Sequence, residues 1–277
     1  MIPRGVDKFP YPGDRIGANA YIPLPFDGWQ TKMQISSFWD QAAPGYSLHM
    51  RQFYENEKDT SIVKWKLLFH DLIGTRSIAV LDAGCGPGLF SVMLCEMGHI
   101  VTGIDLSHPM IAAAREFAAE KNARPTLKRG DLELLLFDDD SFDLVLCCDV
   151  LWSVLHPQRV VHEFRRVLRP GGRVILIDRV PRFPGLGRFN TSHFFTSRGL
   201  SEIGPCVSPG VSLSEWNNIN SFRSSSLQRL ESGLNMLEEA GFTRITQNTG
   251  VRIPSFGFDS WFGDIFSRNI LVTGLHP

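Results

Sequence analysis

The stretch Ile78-Ala-Val-Leu-Asp82-Ala-Gly84-Cys85-Gly86-Pro87-Gly88 decides how the whole chain is read. A short apolar run ends in a turn with glycine at alternate positions. Helical spacing of Phe90, Met93, Leu94 and Met97 follows, closed by Gly98. Alternating glycines let the backbone bend sharply and approach a ligand with no Cβ in the way. The next apolar run, Ile100 to Asp105, ends in an acid placed where one carboxylate can accept both hydroxyls of a ribose. Turn and acid together point to an adenosine ligand of some kind. The order here is G-x-G-x-G, whereas the dinucleotide fingerprint is G-x-G-x-x-G, whose third glycine lets the helix pack.

Working outward, the same alternation continues. Ser107 or His108 caps a helix with Pro109 in its first turn, running to about Asn122. Leu127 marks a third strand leading to Gly130-Asp131, and Phe142-Asp-Leu-Val-Leu-Cys147-Cys148 is a fourth. Pro157 opens a helix whose Val160, Val161, Phe164, Val167 and Leu168 share a face, stopped by Pro170-Gly-Gly172. Val174 to Asp178 is a fifth strand. Short apolar strands alternating with amphipathic helices predict a parallel sheet covered on both faces.

The flanks differ. Residues 1–30 carry five prolines and predict an extended arm. From about Ser36 the spacing is helical until Pro44-Gly45, which is expected to interrupt it. Asp59 is placed to cap a second helix with Ile62, Trp65, Phe69, Leu72 and Ile73 on one face, ended by Gly74. Between Pro181 and about Ser226 the alternation fails and Phe189, Phe194, Phe195, Trp216 and Phe222 accumulate. Leu227, Leu230, Leu234 and Leu237 then mark a helix, and Thr243–Gln247 and Asn269–Thr273 read as closing strands.

Asp82 to Gly88 resembles motif I of the class I S-adenosylmethionine-dependent methyltransferases, of the small-molecule type. Gly103-Ile-Asp105-Leu-Ser107 with Met110 resembles the second motif, the acid on ribose. Gly130-Asp131-Leu132 resembles the third, its aspartate taking the adenine amino group. Ser141-Phe-Asp143-Leu-Val-Leu and Val167-Leu168-Arg169-Pro170-Gly171-Gly172 are similar to the fourth strand and the turn before the fifth. The likeness covers roughly residues 78–179 in the family's order. Upstream, Phe38-Trp39-Asp40-Gln-Ala42-Ala43-Pro-Gly-Tyr46 is similar to a W-D-x-x-A-x-x-Y segment that folds over the cofactor, with Ser47 where an aspartate commonly follows. A packed aromatic helix explains the same residues.

The resemblance implies an α/β, Rossmann-like, mostly parallel seven-stranded sheet with helices on both faces. Residues 1–74 would be an N-terminal arm and helical cap, 75–180 the first part of the cofactor-binding core, 181–225 a lid insertion and 226–277 the core's completion. It implies S-adenosyl-L-methionine as cofactor. Carried across residue by residue, it places Tyr46, Asp82, Gly84, Cys85, Gly86, Gly88, Asp105, Leu106, Met110, Asp131, Leu132, Cys147 and Cys148 at the cofactor. The activity implied is in-line SN2 transfer of a methyl group to O, N or S of a small organic acceptor. A sulfonium methyl is already activated, so orientation and desolvation carry most of the work. Where the acceptor holds a proton at neutral pH, His156 and His193 are the candidate bases. Asp149 and Trp152 follow the fourth strand, where a parallel sheet places its crevice. A protein or tRNA methyltransferase, a cofactor-binding protein without turnover, and a nicotinamide-dependent oxidoreductase are the alternatives.

The composition narrows the partners. With 28 basic and 29 acidic side chains, net charge −1 and 43% hydrophobic residues, the chain reads as an ordinary globular protein. That balance argues against a dedicated nucleic-acid partner. After the fourth strand Cys147-Cys148-Asp149-Val150-Leu151-Trp152 stands in place of the N/D-P-P-Y/F motif of amino-directed DNA methyltransferases. No apolar run approaches the ~18 residues that span a bilayer, and no secretory h-region is visible. The five cysteines make no C-x-x-C pair, so the expectation is reduced thiols, no metal and a cytoplasmic setting. A homo-oligomer is compatible with all of this.

Overall fold

The structure is a computed structural model that describes residues 26–56, 60–181, 233–248 and 267–277. The first described elements are helices α1 (Phe26–Glu55) and α2 (Ser61–Ile73). Strand and helix then alternate through β1 (Ala79–Ala83), α3 (Leu89–Glu96), β2 (Ile100–Asp105), α4 (His108–Glu120), β3 (Thr126–Arg129) and β4 (Phe142–Cys148). A 3-10 turn at Leu151–Ser153 leads into α5 (Pro157–Val167) and β5 (Leu168–Pro181). The last described elements are α6 (Gly233–Glu239), β6 (Thr243–Asn248) and β7 (Ser267–Leu275).

The seven strands form one sheet in the order β3-β2-β1-β4-β5-β7-β6. β1 pairs in parallel with β2 and β4, and only β7 runs against its neighbours β5 and β6. This is the Rossmann-like sheet expected from the sequence. The strand order reverses between β1 and β4, which opens a crevice beyond their carboxyl ends.

Strict alternation along each strand distributes the core. Leu81, Ala83, Val145, Cys147, Val174 and Leu176 face one side and pack with Val160, Val161 and Phe164 of α5 and Leu237 of α6. Val80, Leu144, Leu146, Ile175 and Ile177 face the other, against Trp65 and Phe69 of α2 and Met93 and Leu94 of α3. Trp65 and Phe69 are wholly buried, with ring centroids 5.6 Å apart, and Phe90 lies edge-on to Trp65 at 4.8 Å. The predicted cap of α4 is realised by Ser107, whose Oγ accepts the Met110 N–H.

Four local expectations are corrected. Phe26–Gln30 belong to α1, because every proline of the arm precedes them; the rest of the arm lies outside the described residues. α1 runs through Pro44, where a break was expected. Proline inside a helix costs about 3 kcal/mol. Burial of Phe38, Ala42, Ala43, Met50 and Phe53 on both sides of it offsets that cost. The residue before α2 is Thr60, without a side-chain cap bond, and Asp59 lies outside the described residues. α5 ends at Val167, before Pro170 as expected, but the fifth strand begins at Leu168 and not near Val174, so Pro170-Gly171-Gly172 is an irregularity within β5. Leu168 pairs with Phe142, Arg173 with Leu144, and Gly171 takes φ +80 between them. The expected lid at 181–225, with Leu227 and Leu230, also falls outside the described residues, apart from Pro181 at the end of β5.

Candidate functional site

The crevice beyond β1 and β4 is an open cleft of about 750 Å³, counting its solvent-open mouth. Its floor is the glycine turn. Gly84 (φ +76) and Gly86 (φ +51) both reach the cleft wall in the left-handed region. The Gly84 and Cys85 amides both donate to the Ile104 carbonyl, at 2.8 and 3.0 Å, which ties the turn to β2. Gly88 (φ +88) plays a different part: a Cβ there would meet the Ala114 Cβ at 3.0 Å, so it lets α3 and α4 approach.

Asp105, at the end of β2, joins the two halves of the site. Its Oδ2 accepts the Gly86 N–H at 2.9 Å and its Oδ1 accepts the Ser107 N–H at 2.9 Å. Burial pushes the carboxyl up to about 6, against the pull of those amides, and the nearby Asp40 adds to the rise. Each oxygen retains a second lone-pair direction for a ligand hydroxyl. Behind the turn, Asp82 accepts from Ser91 Oγ at 2.6 Å, and burial raises it to about 7.

One strand further out, the Gly130 N–H donates to the Asp105 carbonyl at 2.9 Å and sets Asp131 beside Asp105. Asp131 Oδ1 accepts the Glu133 N–H at 2.9 Å, and Lys32 Nζ from α1 lies 2.5 Å from Asp131 Oδ2. α1 covers the cleft with one stripe: Lys32, Ile35, Trp39 and Tyr46, spaced three, four and seven apart, all line it. Trp39 and Tyr46 meet edge-on at 6.0 Å. The wall beyond β4 is Cys148, Asp149, Val150, Ser153, Val154 and Leu155. Asp149 holds φ +58, tolerated by an aspartate, while its N–H donates to the Ile177 carbonyl at 2.7 Å.

Of the residues expected at the cofactor, Tyr46, Gly84, Gly86, Asp105, Leu106, Met110, Asp131, Leu132 and Cys148 converge on this cleft. Asp82, Cys85, Gly88 and Cys147 do not line it. Asp82, Cys85 and Cys147 are buried behind it, and burial drives both thiols well above their usual range. His156 precedes α5 and does not line the cleft; its backbone N–H donates to Glu133 Oε1 at 3.1 Å. His193 lies outside the described residues, as does the side chain of Trp152. The sequence reading missed Lys32, Ile35, Glu133 and the Ser153–Leu155 wall. The helical spacing of 32, 35, 39 and 46 was the available signal.

Among the described residues, Cys85, Cys95, Cys147 and Cys148 are free thiols, and no cluster of three metal-ligating side chains occurs. Among them, too, no helix is long and apolar enough to cross a membrane.

Comparison with known proteins adds to this geometry. Residues 81–176 match the family model described as a methyltransferase domain. A ubiquinone biosynthesis O-methyltransferase of Coxiella burnetii is 37% identical over 95 residues, which are 34% of this chain and 41% of that protein. A phosphatidylethanolamine N-methyltransferase of Cereibacter sphaeroides is 39% identical over 115 residues, 41% of this chain and 56% of that one. The chain therefore spans about half the length of the curated relatives it matches. Among solved structures, phosphoethanolamine N-methyltransferase 2 of Haemonchus contortus, in complex with S-adenosyl-L-methionine, superposes with a TM-score of 0.61. It is 19% identical, over 88% of this chain and 60% of that one, and shows the shared fold.

Proposed function

From the premise that residues 81–176 match a methyltransferase domain, we propose that this chain is a class I S-adenosylmethionine-dependent enzyme that methylates a small organic acceptor. The observation that carries the reading is Asp105. It is fixed between the Gly86 and Ser107 amides, with open lone pairs toward a cleft floored by the glycine turn. The cradle fits the cofactor: a Cβ on Gly86 would stand in the cleft, 3.8 Å from Tyr46 Cε1.

In this reading Asp105 holds the ribose hydroxyls and Asp131 accepts the adenine amino group. Leu106, Met110 and Leu132 flank the base, and the backbone of Gly84 and Gly86 meets the amino-acid end. When bound, S-adenosylmethionine supplies an activated methyl group. Val150, Val154, Leu155, Trp39 and Tyr46 exclude water and align the acceptor, which is worth more here than a proton relay. Cys148 is a poor nucleophile, because burial raises its thiol well above the usual range. Where the acceptor carries a proton at neutral pH, His156 and His193 are the candidate bases.

The cap and lid belong to the same proposal. The α1 stripe supports a cap within residues 1–74 that covers the cofactor beside a core in 75–180 and 226–277, and the expected lid at 181–225 lies outside the described residues apart from Pro181. Near-neutral charge and free thiols support a cytoplasmic enzyme without a nucleic-acid partner. The relatives' names, O- and N-methyltransferases, support a small acceptor without choosing its atom.

The test is incubation of the protein and methyl-labelled S-adenosylmethionine with a fractionated small-molecule extract, a protein extract and tRNA. Label in the small-molecule fraction is the expected result. Label confined to protein or tRNA, or bound cofactor with no transfer anywhere, would overturn the assignment.

A further inference from the structure

We propose that Lys32 is a positioning residue that sets the base-recognising edge of the cleft, so that the site selects a 6-amino purine over a 6-oxo purine. The proposal deepens the reading above, since it rests on an adenosyl group lying between Asp105 and Asp131.

The observation is a trio of charged side chains, two of them buried. Lys32 Nζ lies 2.5 Å from Asp131 Oδ2 and 3.0 Å from Glu133 Oε2. Glu133 uses its other oxygen to accept the backbone N–H groups of Leu155, at 3.0 Å, and His156, at 3.1 Å. The side chains of Lys32 and Glu133 are 9% and 3% exposed, while Asp131 keeps 33%. All three line the cleft, and Asp131 is the most exposed of them, so it presents the largest surface to a ligand. Lys32 and Glu133 form its backing.

The chemistry follows from donor and acceptor counts. An ionised carboxylate only accepts hydrogen bonds. With Oδ1 on the Glu133 amide and Oδ2 on the ammonium, Asp131 turns its remaining lone pairs to the cleft in a fixed direction. That edge complements an amino group and repels a carbonyl oxygen. A site built to hydrogen-bond one group rejects the analogue that lacks it far more strongly than apolar contact could. Lys32 maintains the arrangement by lying between two carboxylates that would otherwise face each other without a counter-charge. Without it Glu133 stays held by two amides, and Asp131, the exposed member, is the one that rotates away. The edge is then lost although Asp131 is still present.

α1 is also tied to the body by this bridge, so a merely structural role has to be separated from a positioning one. Losing the helix clasp would weaken every cofactor analogue alike. Losing the oriented acceptor would weaken the amino compound selectively. The ratio of two affinities distinguishes them.

The experiment titrates the wild-type chain, K32M, K32Q and K32R with S-adenosylhomocysteine and with its 6-oxo counterpart, S-inosylhomocysteine. Circular dichroism and thermal melting are recorded for each variant. The wild type should prefer the amino compound by at least about tenfold, as an oriented charged hydrogen bond implies. K32M and K32Q should lose most of that preference, and K32R should keep it. Should K32M fail to fold, the K32Q and K32R ratios decide the matter. An equal loss for both compounds, leaving the ratio intact, overturns the proposal in favour of a simple clasp. A wild type that binds S-adenosylhomocysteine without preferring the amino group overturns it while the cofactor reading stands. A wild type that binds neither compound overturns both.

Discussion

A Cβ built on Gly84 would stand 2.5 Å from Val150 Cγ2 and 2.7 Å from Val150 Cγ1. The turn after β1 and the loop after β4 therefore touch at a point that leaves room for hydrogen alone, and their contact shapes the cleft between them. Gly84→Ala should cost about 1–2 kcal/mol for its left-handed backbone and about 1–3 kcal/mol for overpacking. A melting temperature several degrees lower is expected in thermal denaturation. Adding Val150→Ala should restore the packing part and leave the backbone part. No recovery in the double variant would mean that the contact is not what excludes a side chain.

Asp105→Ala removes the acceptor that we assign to the ribose. Loss of a charged hydrogen-bonding group predicts about 1.5–3 kcal/mol weaker binding of S-adenosylhomocysteine, roughly 10- to 150-fold. Isothermal titration of the folded variant measures this. Unchanged affinity would place the ribose elsewhere.

Burial raises Asp82 to about 7 and Asp105 to about 6 from an ordinary 3.8. Between 3.8 and those values the folded chain binds more protons than the unfolded one, so these two groups favour folding at low pH. That contribution is complete below about pH 3.8 and is lost as pH rises toward 7. Asp143, held below its ordinary value by the Ala79 amide and by Arg169 despite desolvation, contributes in the opposite sense and loses its stabilisation as pH falls through its own lowered range. Comparing wild type with Asp82→Asn isolates the first effect: the wild type should lose stability relative to the variant from pH 4.5 to pH 7.5, read as the difference in melting temperature. A difference that does not change with pH would contradict an elevated Asp82.

Phe69 is fully buried beneath the sheet, next to Trp65 and Phe90, and does not line the cleft. Phe69→Ala should cost about 3–5 kcal/mol of stability and leave the affinity of the remaining folded protein for S-adenosylhomocysteine unchanged. Denaturant unfolding and titration, run on one preparation, separate the two quantities. A large fall in affinity would show that α2 supports the cleft directly.

The sheet was legible because its signals are local. Apolar runs such as Phe142–Cys148 end in turns, and helices such as α5 carry one apolar face between Pro157 and Val167. The glycine turn and Asp105 were legible for the same reason, since backbone conformation and strand ends leave a mark in residue type. Pro44 misled because packing of Ala42 and Ala43 outweighs a local preference. Lys32 was missed because its meaning lies in a contact with a residue 99 positions away. Glu133 was missed likewise: its role comes from the Leu155 and His156 amides, donated by a loop beyond β4. Cys147 and Gly88 were expected at the ligand because the family resemblance carried them there, while Gly88 in fact serves the approach of α3 and α4. On a strand, adjacent side chains face opposite ways, which sends Cys147 into the core and Cys148 to the cleft.

Equilibrium dialysis of the purified chain against S-adenosylhomocysteine and NAD in competition tests the central claim most directly. The account predicts saturable retention of S-adenosylhomocysteine, lost in Asp105→Ala, with NAD unable to displace it. Retention of NAD in preference would contradict it, for the glycine turn would then be holding a pyrophosphate.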